Sequence, residues 1–403
     1  MPTAIMIRST GTRSSSAADS WLASYGSVVG VARADWTAWS QRRLPGRALH
    51  LDSAAAGRPS LATLEATAAH ARLEAELGAY VAQAEREDVL KQLRLDVAGL
   101  FGVAAGGVAF VESATAALDA LLASWPLRAG DRVGVVPAEW GTNLEHFARH
   151  GLEPVELATD GSGRIDVDAL GRTLAQRPPE LVHLTHVTSH RGLVQPAAAA
   201  AAVCRAAGIP LWIDAAQALG HVPTAVGADA VYGTSRKWLA GPRGVGVLAV
   251  AEHHWDRLDV LRSALEPADL PPPAHLESRE AHVAGRVGLA NAVREYLTDG
   301  PAAVGARLDE VGRLTREALG GITGWALVGD DSASGAITAI RPTAGQDVAA
   351  TRARLIAEDR IVTTAAEPAR APREMREPLL RVSPHVDCTP EALDRLCAAL
   401  SRH

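Results

Sequence analysis

From about residue 60 to residue 265 the chain alternates two kinds of segment, and this alternation limits the fold more than any other feature. SLATLEATAAHARLEAELGAYVAQAEREDVLKQLRLDVAGLFG is rich in Ala, Leu and Glu at helical spacing. The apolar run GVAFVES follows, then helix-like TAALDALLASW, strand-like DRVGVVPAEW and LVHLTHVTS, and the Ala-rich helix PAAAAAAVCRAAG. IPLWIDAAQ, ADAVYGTS and GVGVLAV then read as strands. Strands that alternate with helices build a mainly parallel sheet covered on both faces, and such sheets gather functional residues at the carboxyl ends of their strands. A Pro-rich break, EPADLPPPAH, ends the region. Beyond it GRVGLANAVREYL and AAVGARLDEVGRLTREAL read as helices, and AITAIRP, RIVTTAAE and LLRVSPH as strands. TPEALDRLCAAL reads as a closing helix opened by Thr389. The expectation is an α/β chain in three parts: an N-terminal tail and arm at 1–50, a large domain at 51–270 and a smaller α+β domain at 271–403.

Composition excludes several classes. A net charge of −6 argues against a nucleic-acid or anionic-membrane partner. No run of about 18 apolar residues exists, so no membrane span is expected. Cys204, Cys388 and Cys397 form neither a CxxC nor a zinc spacing, so no metal site is expected. So sparse and odd a set of thiols suits a reducing cytoplasm. The first twenty residues lack the apolar core of a signal peptide and read as a frayed tail.

Only two lysines occur in 403 residues, Lys91 and Lys237. Lys237 stands in GTSRKWLAGPRGVG, at the end of a strand-like run and just before a Gly-rich turn. Lysine can become neutral and condense with an aldehyde, whereas arginine stays protonated. Four more strand exits carry polar groups: Ser113 and Thr115, Trp140 and Asn143, Ser189 and His190, Asp214 and Gln217. An aspartate inside apolar LWIDAA is costly to bury without a cationic partner, and a pyridinium nitrogen is such a partner. The turn Ser113-Ala114-Thr115 opens a helix whose N–H groups and dipole suit a phosphate. Trp140 offers a flat face for stacking. Together these groups describe a site for pyridoxal 5′-phosphate. Plainer roles compete: Asp214 as a helix N-cap, Trp140 as core, Arg381 paired with a surface acid, Lys91 as a solvated side chain. Gly241, Gly244 and Gly246 lack the order of a dinucleotide loop.

The motifs, in this order, resemble the class V, cysteine-desulfurase-like branch of the fold-type I pyridoxal-phosphate enzymes. LDSAAAGRPS, ESATAALDALL, HVTSHRGLVQP, WIDAAQALGHVP, GTSRKWLAGPRGVGVL and LLRVSPHVDCTPEALDRL carry the likeness from about residue 50 to the end. The resemblance implies a fold-type I large domain with a mainly parallel, helix-covered sheet, plus a smaller α+β C-terminal domain. Lys237 would hold the cofactor. Asp214 would pair with its pyridine nitrogen, and Gln217 and Ser189 would approach its phenolic oxygen. Ser113, Ala114 and Thr115 would hold the phosphate with Thr234 and Arg236, and Trp140 would stack on the ring. Arg381 would clamp the carboxylate of a small amino-acid substrate, with Ser53 or Ala54 beside it. Relatives are homodimers in which the partner supplies a phosphate contact, for which Ser278 or Arg279 in HLESREA is placed.

The resemblance covers several reactions. A desulfurase needs a nucleophilic cysteine on a mobile loop before the RxS motif, and VTTAAEPARAPREMREPLLRVS has none. A carbon–sulfur lyase needs none, because Lys237 serves as general base at the α-carbon. An aminotransferase, an epimerase or a desulfurase-like lyase for another amino acid is the alternative. A cationic portion of a substrate would call for an aromatic face and an acid, for which Tyr80, Trp212 and Glu139 are candidates.

Overall fold

The computed structural model describes residues 36–262, 269–278, 280–329 and 334–402. Most of the expected N-terminal tail, and Arg279, lie outside the described residues.

Seven strands form the large sheet: β1 (Val108–Val111), β2 (Arg132–Val135), β3 (Glu153–Glu156), β4 (Leu181–Thr185), β5 (Leu211–Asp214), β6 (Ala230–Thr234) and β7 (Gly246–Val250). They pair in the order β1-β7-β6-β5-β4-β2-β3. β2 to β6 run parallel, while β7 is antiparallel to both β6 and β1. β1 and β4 to β7 are buried along their whole length, which is why each reads as a continuous apolar run. Side chains alternate between two apolar clusters on opposite faces. Ile213, Val231 and Val247 enter one, while Trp212, Tyr232 and Leu248 enter the other. β3, with the sequence EPVE, is an edge strand, and its proline and half-exposed side chains hide it from a hydrophobicity reading.

Helices cover the sheet. The long Ala/Leu/Glu run is not one helix: α1 (Leu61–Leu77) stops at Gly78, whose φ of 84° no other residue type adopts readily. A short turn, Ala79–Ala84, then leads to α2 (Glu87–Phe101). α3 (Ala114–Ser124) follows β1, α4 (Gly141–Arg149) follows β2, and α5 (Val283–Asp299) follows the Pro-rich break. α5 packs against α1, where Ser60 Oγ donates to Glu295 Oε1 at 2.6 Å and Asn291 Nδ2 donates to Thr63 Oγ1 at 3.0 Å.

The C-terminal part carries an antiparallel sheet of β8 (Trp325–Val328), β9 (Thr338–Pro342), β10 (Thr364–Ala366) and β11 (Leu379–Val382), in the order β10-β11-β9-β8. Leu49–His50 pairs in parallel with Ile361–Val362, and Asp52 bridges to Ser383. The LDSAAAG segment is thereby stitched to the C-terminal part before the chain enters α1. Thr389 caps the closing helix, Pro390–Leu400, accepting from Ala392 N at 3.4 Å.

Gly246 opens β7 directly against the turn that starts α3. A Cβ at this position would lie 2.5 Å from the carbonyl carbon of Ser113. Gly246→Ala is therefore expected to lower stability by about 1–3 kcal/mol through overpacking, read as a fall in Tm. A Tm equal to that of the parent would show that the Ser113 turn yields without cost.

Candidate functional site

The carboxyl ends of β1, β4, β5 and β6 open on one cavity of about 520 Å³. Its lining brings together Ala54, Ser113, Ala114, Thr115, Trp140, Ser189, Asp214, Gln217, Thr234, Arg236 and Lys237 from six separate stretches of sequence.

At one end stands the N-terminus of α3. Ser113, with an extended backbone, caps the helix, its Oγ accepting from Ala116 N at 3.0 Å. Ala114 and Thr115 have no carbonyl within their own helix to receive their N–H groups, which are left for an anion. Arg236 lines the same cavity and donates to the carbonyl of Ala55. Burial, with the neighbouring Arg243, lowers its pKa. Arg243 and Gly244 line the cavity as well, a contribution that the sequence did not single out.

At the other end lies a buried carboxylate array. Asp214 Oδ1 accepts from Ala216 N at 2.8 Å, the local cap-like contact of the plainer reading. Its Oδ2 accepts from Asn143 Nδ2 at 3.0 Å. The same amide donates to Glu139 Oε1 at 2.9 Å. Glu139 is wholly buried, and its Oε1 also accepts from Trp140 N and Thr185 Oγ1. Its Oε2 meets His183 Nδ1 at 2.9 Å, and His183 Nε2 meets the Tyr232 hydroxyl at 2.8 Å. Burial alone would raise the Glu139 pKa. The His183 charge and the hydrogen bonds from His183, Thr185 and Asn143 outweigh it and hold the carboxyl below its ordinary range. Burial, with Asp214 and Glu139 nearby, pushes the Tyr232 phenol well up, so it stays neutral.

Lys237 opens on the cavity between these ends. Burial lowers its pKa to about 7, against the pull of Asp214 and with the help of Arg236, Arg381 and Arg370. Its amine is thus half neutral near pH 7, unlike Lys91, which is exposed, pairs with Glu87 at 2.9 Å and has its pKa raised by that contact. Gln217 fixes the surroundings: Nε2 donates to Ala54 O at 2.8 Å, and Oε1 accepts from Trp238 Nε1 at 3.0 Å. Ser189 Oγ is buried in the lining with no hydrogen-bond partner. A half-neutral amine, a braced carboxylate, an unsatisfied hydroxyl and a cationic helix N-terminus at one cavity fit a phosphorylated pyridine aldehyde.

Other expected residues lie outside the lining. Ser53 is buried beside it, its Oγ unpartnered. Arg381 is fully buried, donating from Nη1 to Ser189 O at 2.8 Å and from Nη2 to Asp52 Oδ1 at 3.1 Å, while its Nε has no hydrogen bond. Ser278 is exposed, its Oγ accepting from Glu280 N at 3.2 Å. The three candidates for a cationic substrate group need correction. Tyr80 is 76% exposed and absent from the cavity, Trp212 is sealed in an apolar cluster, and Glu139 is spent on the array described above. Residue type suggested them, but their placement removes them: Tyr80 is out in solvent, and Trp212 and Glu139 are buried and committed elsewhere. Arg370, from the segment between β10 and β11, lines the cavity and was not foreseen. A separate cluster of Asp229, His253 and His254 sits at the amino end of β6. Its two imidazoles each lie 2.9 Å from Asp229 Oδ1, while the buried Nδ1 of His254 has no hydrogen-bond partner.

The aminotransferase class-V family model matches residues 49–396. The chain belongs to the class-V aminotransferase family. It is 46% identical over 368 residues, 90% of this chain and 92% of the relative, to a "Probable hercynylcysteine sulfoxide lyase" of Mycobacterium tuberculosis (strain CDC 1551 / Oshkosh). Its fold matches a cysteine desulfurase of Escherichia coli with a TM-score of 0.79 at 21% identity, covering 91% of this chain and 97% of that one. It also matches the cystine C–S lyase C-DES, in a variant with glycine covalently linked to its PLP cofactor, with a TM-score of 0.78 at 19% identity, covering 88% of this chain and 97% of that one. The class-V enzymes use pyridoxal 5′-phosphate, and it is the cofactor of this chain.

The low Lys237 pKa has a direct readout. Capture of pyridoxal phosphate by the apoprotein, followed as growth of the visible band, should accelerate as pH rises through about 7 and then level off. A rate still climbing toward the ordinary lysine value of 10.5 would show that the amine is not held neutral.

Proposed function

We propose that this class-V enzyme is a carbon–sulfur β-lyase that cleaves hercynylcysteine sulfoxide to pyruvate, ammonia and a sulfenate that becomes ergothioneine on reduction. The observation that carries the reading is the half-neutral amine of Lys237 facing the braced carboxylate of Asp214, beside a β10–β11 connection that has no cysteine. The 46% identity to a relative of that name supports the choice of substrate. Hercynyl denotes the trimethylammonium betaine of histidine, so this substrate carries two carboxylates, one on its cysteine and one on its betaine.

Bound pyridoxal phosphate supplies an electron sink for the pair released at the α-carbon. The protein's residues do the rest. Ser113, Ala114, Thr115, Thr234 and Arg236 would hold its phosphate, Trp140 would stack on its ring, and Ser189 and Gln217 would approach its phenolic oxygen. Asp214, anchored by Asn143, would pair with the pyridine nitrogen and keep it positively charged. Arg381, through its unpartnered Nε, receives the α-carboxylate beside Ser53 and Ala54. Lys237 takes the α-proton as general base, a role worth about 10²–10⁴-fold. The Cβ–S bond then breaks with its electron pair leaving on sulfur, and the three-carbon remainder hydrolyses to pyruvate and ammonia.

The reading includes a homodimer. Ser278 lies exposed and outside the cavity, so the phosphate contact assigned to it requires a second copy. No helix among the described residues is long and apolar enough to cross a membrane, and three free thiols suit a reducing cytoplasm.

The test is to mix the loaded protein with hercynylcysteine sulfoxide and a reductant, and to assay pyruvate and ergothioneine together. Both should appear. Lys237→Ala should lose the visible cofactor band and at least about 10²-fold in turnover, and full turnover in that variant would overturn the mechanism. Arg381→Ala should raise KM by more than about tenfold, because a hydrogen bond to a charged group is worth about 1.5–3 kcal/mol. An unchanged KM would remove the clamp.

A further inference from the structure

Four arginines meet at or beside the cavity, and two have assigned work. Arg236 is assigned to the phosphate, and its neighbour Arg243 is exposed to solvent. Arg381 is held by Asp52, Ser189 and Thr364 below the floor. Arg370 is different. It lines the cavity, is half-buried, and lies with its guanidinium carbon 5.5 Å from the centroid of the Trp140 ring. Among the described residues no side-chain hydrogen bond or ion pair engages its guanidinium. Burial lowers its pKa, and the charges of Asp52 and Glu367, neither hydrogen-bonded to it, offset that only in part, so an anion that reached its fork would gain.

The turn that carries Arg370, Pro368–Arg370, is packed into place. Gly141, at the start of α4, lies so close that a Cβ there would be 2.0 Å from Ala369 O. Downstream, Ala371 and Met375 are buried with Ala339, Ala366 and Leu379. Glu374 accepts from Arg191 Nε and lies 3.4 Å from His190 Nε2, which ties the segment to the exit of β4. The guanidinium is thus presented from a fixed support, with its planar fork free for the two oxygens of a carboxylate.

We propose that Arg370 binds the carboxylate of the substrate that is remote from the reacting carbon, and so selects amino acids that carry a second carboxylate. The inference rests on the lyase reading for the identity of that group. A short cysteine sulfoxide, with one carboxylate, has no second carboxylate for Arg370 to bind. The betaine carboxylate of hercynylcysteine sulfoxide is such a group, and phosphate and α-carboxylate are already provided for elsewhere.

The experiment uses the loaded wild-type enzyme, Arg370→Lys and Arg370→Gln. Hercynine, which has no sulfur to eliminate, is titrated against tryptophan fluorescence. Pyruvate release is measured with hercynylcysteine sulfoxide and with S-methylcysteine sulfoxide. Arg370→Gln should weaken hercynine binding at least tenfold, and should lower kcat/KM for the long sulfoxide at least tenfold more than for the short one, any loss through the Lys237 base falling on both alike. Arg370→Lys, which keeps charge but not the fork, should fall between. Equal losses on both sulfoxides would place Arg370 at the cofactor or the α-carboxylate and overturn the proposal. So would a wild type that does not bind hercynine, or binds it no better than Arg370→Gln. Hercynine binding that depends on Arg370, with no pyruvate from either sulfoxide, would sink the lyase reading and leave the carboxylate site standing.

Discussion

The amide of Asn143 donates to two buried carboxylates at once, Glu139 and Asp214, and much of the site hangs on that double contact. Neither acid could stay charged in this interior without fixed donors. Glu139 is satisfied by Thr185 and His183 from β4 and by the backbone of Trp140, and His183 passes the chain of contacts to Tyr232 on β6. One network therefore locks the ends of three strands to the first turn of α4. It keeps the face of Trp140 and the carboxylate of Asp214 in a constant relation. Low local dielectric makes such a network strong when complete and costly when broken. A change at Glu139, which touches no ligand, should therefore be felt at Asp214.

Charge of both signs then meets at the cavity. The carboxylate of Asp214, the guanidiniums of Arg236, Arg243 and Arg370 and the amine of Lys237 all line it. Neighbouring cations add to burial in lowering the lysine, and Asp214 opposes them without prevailing. The result is an amine that is half deprotonated near neutrality.

What could be read from the sequence follows from what each residue depends on. β1 and β4 to β7 were legible because strands covered on both faces must be apolar throughout. β3 and β8 were not, since an edge strand such as EPVE need bury little. Lys237, Asp214 and Ser113 were legible because each sits at a strand exit, in a residue context that makes little sense otherwise. Glu139, Tyr80 and Trp212 misled because an acid or an aromatic looks the same in sequence whether its polar atoms are free, spent or sealed away. Arg370 escaped notice for the opposite reason. Its meaning lies in a contact with Trp140 made across the fold, and nothing in PARAP announces it.

The two lysines carry a last consequence. Burial lowers Lys237, while an exposed pairing with Glu87 raises Lys91, so the two side-chain amines differ in nucleophilicity as well as in position. At mildly alkaline pH an electrophile small enough to enter the apoprotein cavity meets one deprotonated side-chain amine and one protonated one. The chain's preference for arginine has thus left it with a single privileged lysine, which offers a handle for covalent probes, isotope labels and mass-spectrometric mapping without any engineering of the surface.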